Sequence, residues 1–321
     1  MKTEVETHKA PGRSHRVGIS LIELMDRFPT DDVAKDWFES VMWPDGRRCG
    51  HCDSSRTIEA KHRSMPYRCR DCSNYFSVKT GTAIANSKIG LRKWVIAIYL
   101  ELTSLKGVSS MKLHRDLGVT QKTAWYMLHR IRESFADLAD VLAMEGPIEV
   151  DTCYIGGLER NKHASKRLNM GRGPVGKAAV MGARDRATGK VTASVVGAED
   201  AATADAFLDV HAAEGATVYS DEASAYRHLS HHETVSHSAG EYVRYLDGVN
   251  IDTNAVESLW STIKRAHKGV YHHLSAKHLQ RYVDSFAAKR NIRDADTIDQ
   301  MAAVVASLFG REITYTALTA D

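Results

Sequence analysis

Apolar residues return at helical spacing through the first half of the chain and gather into short strand-like runs in the second. Val33, Trp37, Phe38 and Val41 recur every three or four residues, which places them on one face of a helix. Thr30 precedes them as an N-cap, and Asp31 and Asp32 follow where carboxylates favour the helix dipole. Pro44-Asp45-Gly46 then predicts a turn. From Leu91 to Phe135 the pattern is helical again. Trp94, Ile98 and Leu102 form one stripe, and a short helix from Val108-Ser109-Ser110 carries Leu113 and Leu117. After the turn at Gly118-Val119, Thr120 caps a helix containing Ala124, Trp125, Leu128 and Ile131.

Past Pro147 the pattern changes. Runs at 148–155, 177–184, 190–197 and 216–221 read as strands, with helices at 203–214, 254–267 and 275–290. That order predicts a mixed α/β domain. Ile298, Met301, Ala302 and Val305 suggest a closing helix without an assignable role. The expected fold class is multidomain α+β. A disordered tail covers 1–18, an N-terminal helical segment 19–48, a cysteine-bearing module 49–82 and a helix-turn-helix-like region 88–140. The α/β domain covers 146–293 and a C-terminal helical tail 294–321.

Composition narrows the class only slightly. Hydrophobic residues make up 43% and charged residues 26% of 321 residues, as in ordinary globular proteins. A net charge of +3 decides nothing. Residues 158–190, however, hold nine Lys or Arg against Glu159 and Asp185, an excess suited to a polyanion, or to a solvated basic loop. Lys166 and Arg167 within it are candidate DNA contacts, and Gly171 to Gly176 reads as a flexible loop. Met1 to Gly18 is polar, unlike a signal peptide, and the most apolar segment, Trp94 to Leu100, is too short to span a bilayer. Five cysteines in such a chain point to a reducing compartment, so a cytoplasmic location without a membrane partner is expected.

Four of those cysteines carry the sharpest spacing signal. Cys49-Gly50-His51-Cys52 and Cys69-Arg70-Asp71-Cys72 are two CxxC pairs at the separation of a four-thiolate zinc ribbon. Such a Zn²⁺ is structural, because four thiolates leave no open position. His51 lies inside the first knuckle and reads as solvent-facing. In the helical region, Gln121, Lys122, Thr123 and Tyr126 would face a DNA groove, with His129, Arg130 and Arg132 near phosphates. A plain helical spacer is the alternative reading.

Three acids carry the candidate chemistry. Asp151 ends Ile148-Glu149-Val150-Asp151, Asp221 ends Val218-Tyr219-Ser220-Asp221, and Glu257 lies on a helix with Lys264 two turns later. Enzymes that cut phosphodiesters with two Mg²⁺ gather such carboxylates from distant segments. On the last helix Val256, Leu259, Trp260 and Ile263 share one face and Glu257, Ser261, Lys264 and Lys268 the other. Taken alone, that describes any amphipathic helix.

The chain resembles the zinc-ribbon DDE transposases of bacterial insertion sequences over roughly residues 20–293. The likeness rests on Ile148-Glu149-Val150-Asp151 with Tyr154-Ile155-Gly156-Gly157, on Tyr219-Ser220-Asp221-Glu222 with Tyr226, and on His237-Ser238 with Glu241-Tyr242-Val243. Asn254 to Lys264, Gly269-Val270-Tyr271-His272, Phe28-Pro29, the four cysteines, Phe76 with Gly81-Thr82, and Leu91-Arg92-Lys93-Trp94 extend it. The resemblance implies an RNase H-like domain in which Asp151, Asp221 and Glu257 hold two Mg²⁺ or Mn²⁺ ions, with Lys264 as the basic residue accompanying the third acid. It also implies double-stranded DNA partners, namely terminal inverted repeats and target DNA, and an assembly of at least a dimer on DNA. Lys268 is a further candidate DNA contact. The family usually has Glu after the first Asp, where this chain has Thr152, and some branches use Asn as the third member, which leaves Asn254 open beside Glu257. His237 is either near the site or structural, Glu222 and Glu149 are at most supporting, and Cys153 is not expected to be a nucleophile. A catalytically silent DNA-binding regulator and a structure-selective nuclease are the competing functions.

Overall fold

The computed structural model describes residues 16–62, 64–157, 159–168, 175–221, 223–229, 231–235, 244–246 and 249–320. The chain divides into two compact units, residues 1–135 with 292–321, and residues 136–291. Most of the anticipated polar tail, residues 1–15, lies outside the described residues, as do His237, Ser238, Glu222, 241–243 and the greater part of the 171–176 loop.

In the first unit, helix α1 (Leu21–Arg27) opens on a reciprocal cap, with Ser20 accepting from the Glu23 N–H and the Glu23 side chain accepting from the Ser20 N–H. Helix α2 (Asp31–Met42) starts at Thr30, whose hydroxyl accepts from the Val33 N–H as anticipated. Strands β1 (Thr57–Glu59), β2 (Tyr67–Cys69) and β3 (Tyr75–Phe76) form an antiparallel sheet. It surrounds a small core of Cys49, Tyr67, Cys69 and Phe76. Helix α3 (Leu91–Thr103) buries Trp94, Ile98 and Leu102. Helix α4 (Ser110–Leu117) ends at Gly118, which turns the chain with φ 58°, a left-handed conformation that glycine adopts without a Cβ penalty. Helix α5 (Gln121–Glu133) begins at the Thr120 cap and packs against α4.

The second unit is a mixed α/β layer structure. A short helix α6 (Ala136–Ala139) leads to β4 (Ile148–Ile155), β5 (Ala178–Asp185), β6 (Val191–Val196), α7 (Ala201–His211), β7 (Val218–Asp221) and β8 (His232–Val235). The sheet order is β6-β5-β4-β7-β8. Strands β4, β5 and β6 run antiparallel, whereas β4, β7 and β8 run parallel. A hairpin of β9 (Arg244–Leu246) and β10 (Val249–Ile251) precedes α8 (Asn254–Ala266), and α9 (Leu279–Asn291) packs on β6. The short strands β8, β9 and β10 have no counterpart in the hydrophobic pattern, because three or four residues carry too little alternation to register. Ile148, Val150, Met181, Ala183 and Phe207 build the central core. On α8 the predicted stripe of Val256, Leu259, Trp260 and Ile263 is buried. The expected α+β class with a cysteine module and a later α/β domain describes the molecule.

The closing segment belongs to the first unit. Helix α10 (Thr297–Ala306) packs on α2 and α3, and the stretch after it is stitched to residues 81–83 by the bonds Ala83 N–H to Leu308 C=O and Gly310 N–H to Gly81 C=O, each 2.8 Å. Helix α11 (Tyr315–Thr319) lies against α5. The Tyr126 hydroxyl donates to the Ile313 carbonyl at 2.7 Å, and the Lys122 ammonium stands 4.3 Å from the Tyr315 ring centroid.

This packing corrects part of the DNA-reading expectation. Gln121 and Lys122 are exposed and Thr123 is half-buried, its hydroxyl against Thr120. Arg130, in contrast, is 6% exposed and donates to the Tyr126 hydroxyl while stacking on that ring. His129 is buried too, and Arg132 is buried against Glu101. A count of basic residues along a helix does not see that its C-terminal half turns inward onto α3, where Glu101 supplies the counter-charge. Among the described residues no helix is long and apolar enough to cross a membrane.

Candidate active site and metal centre

Two knuckles of the same construction hold the cysteines. In the first, the His51 N–H points at the Cys49 sulfur at 3.4 Å, and Asp53, just past Cys52, adopts φ 57°. In the second, the Asp71 N–H points at the Cys69 sulfur at 3.4 Å, and Ser73 follows Cys72 with φ 61°. The sulfurs of Cys49 and Cys72 are 3.7 Å apart and those of Cys52 and Cys69 3.6 Å. A tetrahedron with Zn–S bonds of about 2.3 Å has edges of about 3.8 Å, so the quartet has the size of a zinc site. Backbone N–H groups, that of Cys72 foremost, pull the Cys69 thiol down to about 6, which favours the thiolate that a metal needs, whereas without an ion burial pushes the Cys49 thiol up and Cys52 is raised as well. Gly50 is required here, since a Cβ on it would stand 2.5 Å from the Thr80 carbonyl oxygen. His51 is exposed and meets the Tyr75 carbonyl through its ring, as a residue outside the ligand set.

The acidic site is built from the central sheet and α8. Parallel pairing of β4 with β7 matches Ile148 to Val218 and Glu149 to Tyr219. Two residues further along this register stand Asp151 and Asp221, which therefore leave adjacent strands side by side. Helix α8 packs across β4 and β5 and brings Glu257 to the same end. Asp151, Glu257, Trp260, Lys264 and Lys268 line one open cavity of about 400 Å³, with Cys153 in its floor. Asp221 does not line it. Its charge still reaches Asp151, whose carboxyl is pushed up to about 7 by burial first, then by Asp221, and to a smaller extent by Glu257.

The three carboxylates do not close on a single ion. Among the described residues only the cysteine quartet has ligand atoms all within 4.8 Å of one another. A site for two ions would not require that closeness, because different carboxylates would hold different ions. Hard carboxylate oxygens suit Mg²⁺ or Mn²⁺.

Several neighbours of these acids escape a linear reading. The Trp260 indole N–H donates to Asp151 Oδ2 at 2.8 Å and opposes the upward shift of that carboxyl. The indole lies so close to β5 that a Cβ on Gly182 would be 2.5 Å from its ring. Trp260 thus belongs both to the apolar stripe and to the site; its sequence signal was a buried indole in need of an acceptor. Thr152 Oγ1 shares a 3.0 Å hydrogen bond with the buried Tyr226 hydroxyl, so the residue that replaces the family's Glu has its own partner. Burial pushes the Cys153 thiol up, against the pull of Lys264, and a raised thiol makes a poor nucleophile. Asn254 is exposed and absent from the cavity lining, and its N–H donates to Asp252 Oδ1. Glu257 is therefore the residue that faces Asp151.

The basic excess of 158–190 is only partly available to a polyanion. Arg184 and Arg186 are bound to the buried Glu149, and Lys162 pairs with Glu159. A count along the chain cannot register a partner across a strand. Arg167 is exposed and donates to the Lys162 carbonyl, and the backbone of Lys166 closes the short turn Ala164–Lys166. Arg167 does not line the cavity, whereas Lys268 does.

Comparison with known proteins gives a match over each of the two regions. Residues 29–74 match the transposase zinc-ribbon domain, and residues 143–291 match the ISXO2-like transposase domain. A protein of Halobacterium salinarum described as an uncharacterized protein in transposable element ISH50 is 28% identical over 283 residues, spanning 83% of this chain and 92% of the relative. The ribbon match and the thiolate geometry support a structural Zn²⁺ on Cys49, Cys52, Cys69 and Cys72. With ribbon and α/β domain matched in one order along the chain, the protein belongs to the zinc-ribbon DDE transposase family of insertion sequences.

Proposed function

We propose that this transposase binds the terminal inverted repeats of its own insertion sequence and catalyses Mg²⁺-dependent strand cleavage and strand transfer. The observation that carries the reading is the shared cavity of Asp151, Glu257, Lys264 and Lys268, with Asp221 close enough to raise Asp151. Asp151, Asp221 and Glu257 would hold two Mg²⁺ or Mn²⁺ ions. Bound there, such ions supply Lewis-acid stabilisation of the phosphate and lower the pKa of the attacking oxygen. The rest falls to the chain. Lys264 on α8 and Lys268 in the π-helical turn that follows it (His267–Tyr271) offer cations to the DNA backbone beside the acids. Trp260 fixes one oxygen of Asp151 and, with Leu259 and Ile263, seals the apolar side of the site. No nucleophilic side chain is required, in keeping with the raised Cys153 thiol.

Exposed Gln121 and Lys122 at the N-terminus of α5, with Thr123, support DNA reading by that helix. Lys166 and Arg167 remain proposed backbone contacts. Assembly of at least a dimer on paired DNA ends is part of the proposal, and so is cytoplasmic action, which the DNA substrate and the thiolate zinc site favour.

The test is cleavage of element-end DNA with Mg²⁺ or Mn²⁺. Asp151→Asn, Asp221→Asn and Glu257→Gln should each lose on the order of a thousandfold in rate or more, with DNA binding retained in a mobility-shift assay. Wild-type rates in all three variants would overturn the assignment.

A further inference from the structure

Two residues before each acid stands a residue of a second cluster, buried at its two strand positions. Glu149 precedes Asp151 on β4, Tyr219 precedes Asp221 on β7, and Ala255 precedes Glu257 on α8. Residues i and i+2 of a strand share a face, so Glu149 and Tyr219 underlie the two aspartates. The pairing of Glu149 with both Arg184 and Tyr219 places these three across adjacent strands.

Glu149 is 1% exposed and its carboxylate is fully engaged. Oε1 accepts from Arg184 Nη1 at 3.0 Å and from Arg186 Nε at 2.9 Å. Oε2 accepts from the backbone N–H groups of Ala255 and Val256, each at 3.1 Å. Those two amides belong to the first turn of α8, where helical N–H groups lack intrahelical partners and the dipole favours an anion. Arg186 extends the tie, donating to the Asp252 carbonyl at 3.0 Å and carboxylate at 2.7 Å, with its guanidinium 4.9 Å from the Tyr219 ring centroid.

We propose that Glu149 is a positioning residue that sets the separation of Asp151 and Glu257. One carboxylate grips both the strand bearing the first acid and the helix end bearing the third. It does not line the cavity, so it acts through the residues it holds and not on substrate. The buried position is consistent with this: two guanidinium groups and two amides satisfy a charge that would otherwise be costly to bury. Arg184 and Arg186 are thereby assigned to the site's architecture and removed from its DNA surface.

The inference rests on the metal site proposed above, and the test separates the two. Mn²⁺ binding to the full chain is measured by titration calorimetry, alongside zinc content and thermal unfolding. Asp151→Asn should abolish Mn²⁺ binding; if it does not, the metal-site reading fails and this proposal falls with it. Given that loss, Glu149→Gln should weaken Mn²⁺ binding by about tenfold or more, the scale on which partners of metal ligands act, in a protein that keeps its zinc. A glutamine offers one acceptor oxygen where the carboxylate offers two, so it cannot serve arginines and helix amides together. Arg186→Lys, a milder change that breaks the fork between Glu149 and Asp252, should weaken binding severalfold. Wild-type Mn²⁺ affinity in a folded Glu149→Gln protein overturns the proposal. Should that variant not fold, wild-type affinity in Arg186→Lys overturns it instead.

Discussion

In the zinc ribbon four sulfurs stand within 4.8 Å of one another, while in the acidic site, drawn from β4, β7 and α8, Asp151 feels the charge of Asp221 and Glu257 yet the three carboxylates do not close. The difference follows from how each is assembled. Each cysteine pair is gathered by one tight local turn, with N–H groups aimed at sulfur and a left-handed residue just behind. The acids come from segments 70 and 36 residues apart in the chain (151 to 221, 221 to 257), and only the sheet register and the docking of α8 bring them together. One centre is gathered within its own module; the other depends on the fold around it.

The largest effect that could break this contrast is metal removal. Stripping zinc should unfold the ribbon, because binding free energy on the order of 10 kcal/mol is also its folding free energy. Hydrogen exchange after chelation should show loss of protection over β1, β2 and β3, while β4, β5 and β7 keep theirs. Loss of protection in the sheet of the second unit as well would erase the distinction.

Next in size is the pH dependence of the metal-free protein. Asp151 is raised from 3.8 to about 7 by burial and by Asp221, so between these values the folded state binds more protons than the unfolded state. Stability contributed by this group is therefore present at low pH, falls as pH rises through that window, and is level above it. Asp151→Asn removes the titration. Relative to wild type it should gain on the order of 1–3 kcal/mol at pH 8 and almost nothing near pH 4, read from urea midpoints. A constant difference across the range would mean that the folded protein does not raise the Asp151 carboxyl.

The smallest effect concerns the indole. Trp260→Phe keeps an aromatic ring over Gly182 and removes only the hydrogen bond to Asp151 Oδ2. Mn²⁺ affinity should drop about tenfold, with stability changed by roughly 1 kcal/mol. A variant with unaltered affinity would show that the carboxylate needs no such anchor.

Local chemistry was readable in the residues themselves. The CxxC spacing announced the ribbon, Thr30 and Thr120 announced helix starts that their hydroxyls do cap, and the stripe Val256, Leu259, Trp260, Ile263 announced the buried face of α8. Such features depend on neighbours within a turn or a knuckle, and spacing along the chain encodes them directly. Partnerships across strands and between remote segments left no such trace. Arg184 and Arg186 looked like part of a DNA-facing basic run until register set them against Glu149. Arg130 looked like a phosphate contact until packing turned it inward onto Tyr126, which Ile313 and Tyr315 in turn engage. Glu257 is already favoured over Asn254 in the sequence because Lys264 follows it two turns later on the same face, and in the structure Glu257 lines the cavity with Asp151 whereas Asn254 does not. Periodicity states which side of an element is apolar; it is the burial of that side against other elements that decides which charges remain in water and which acquire partners.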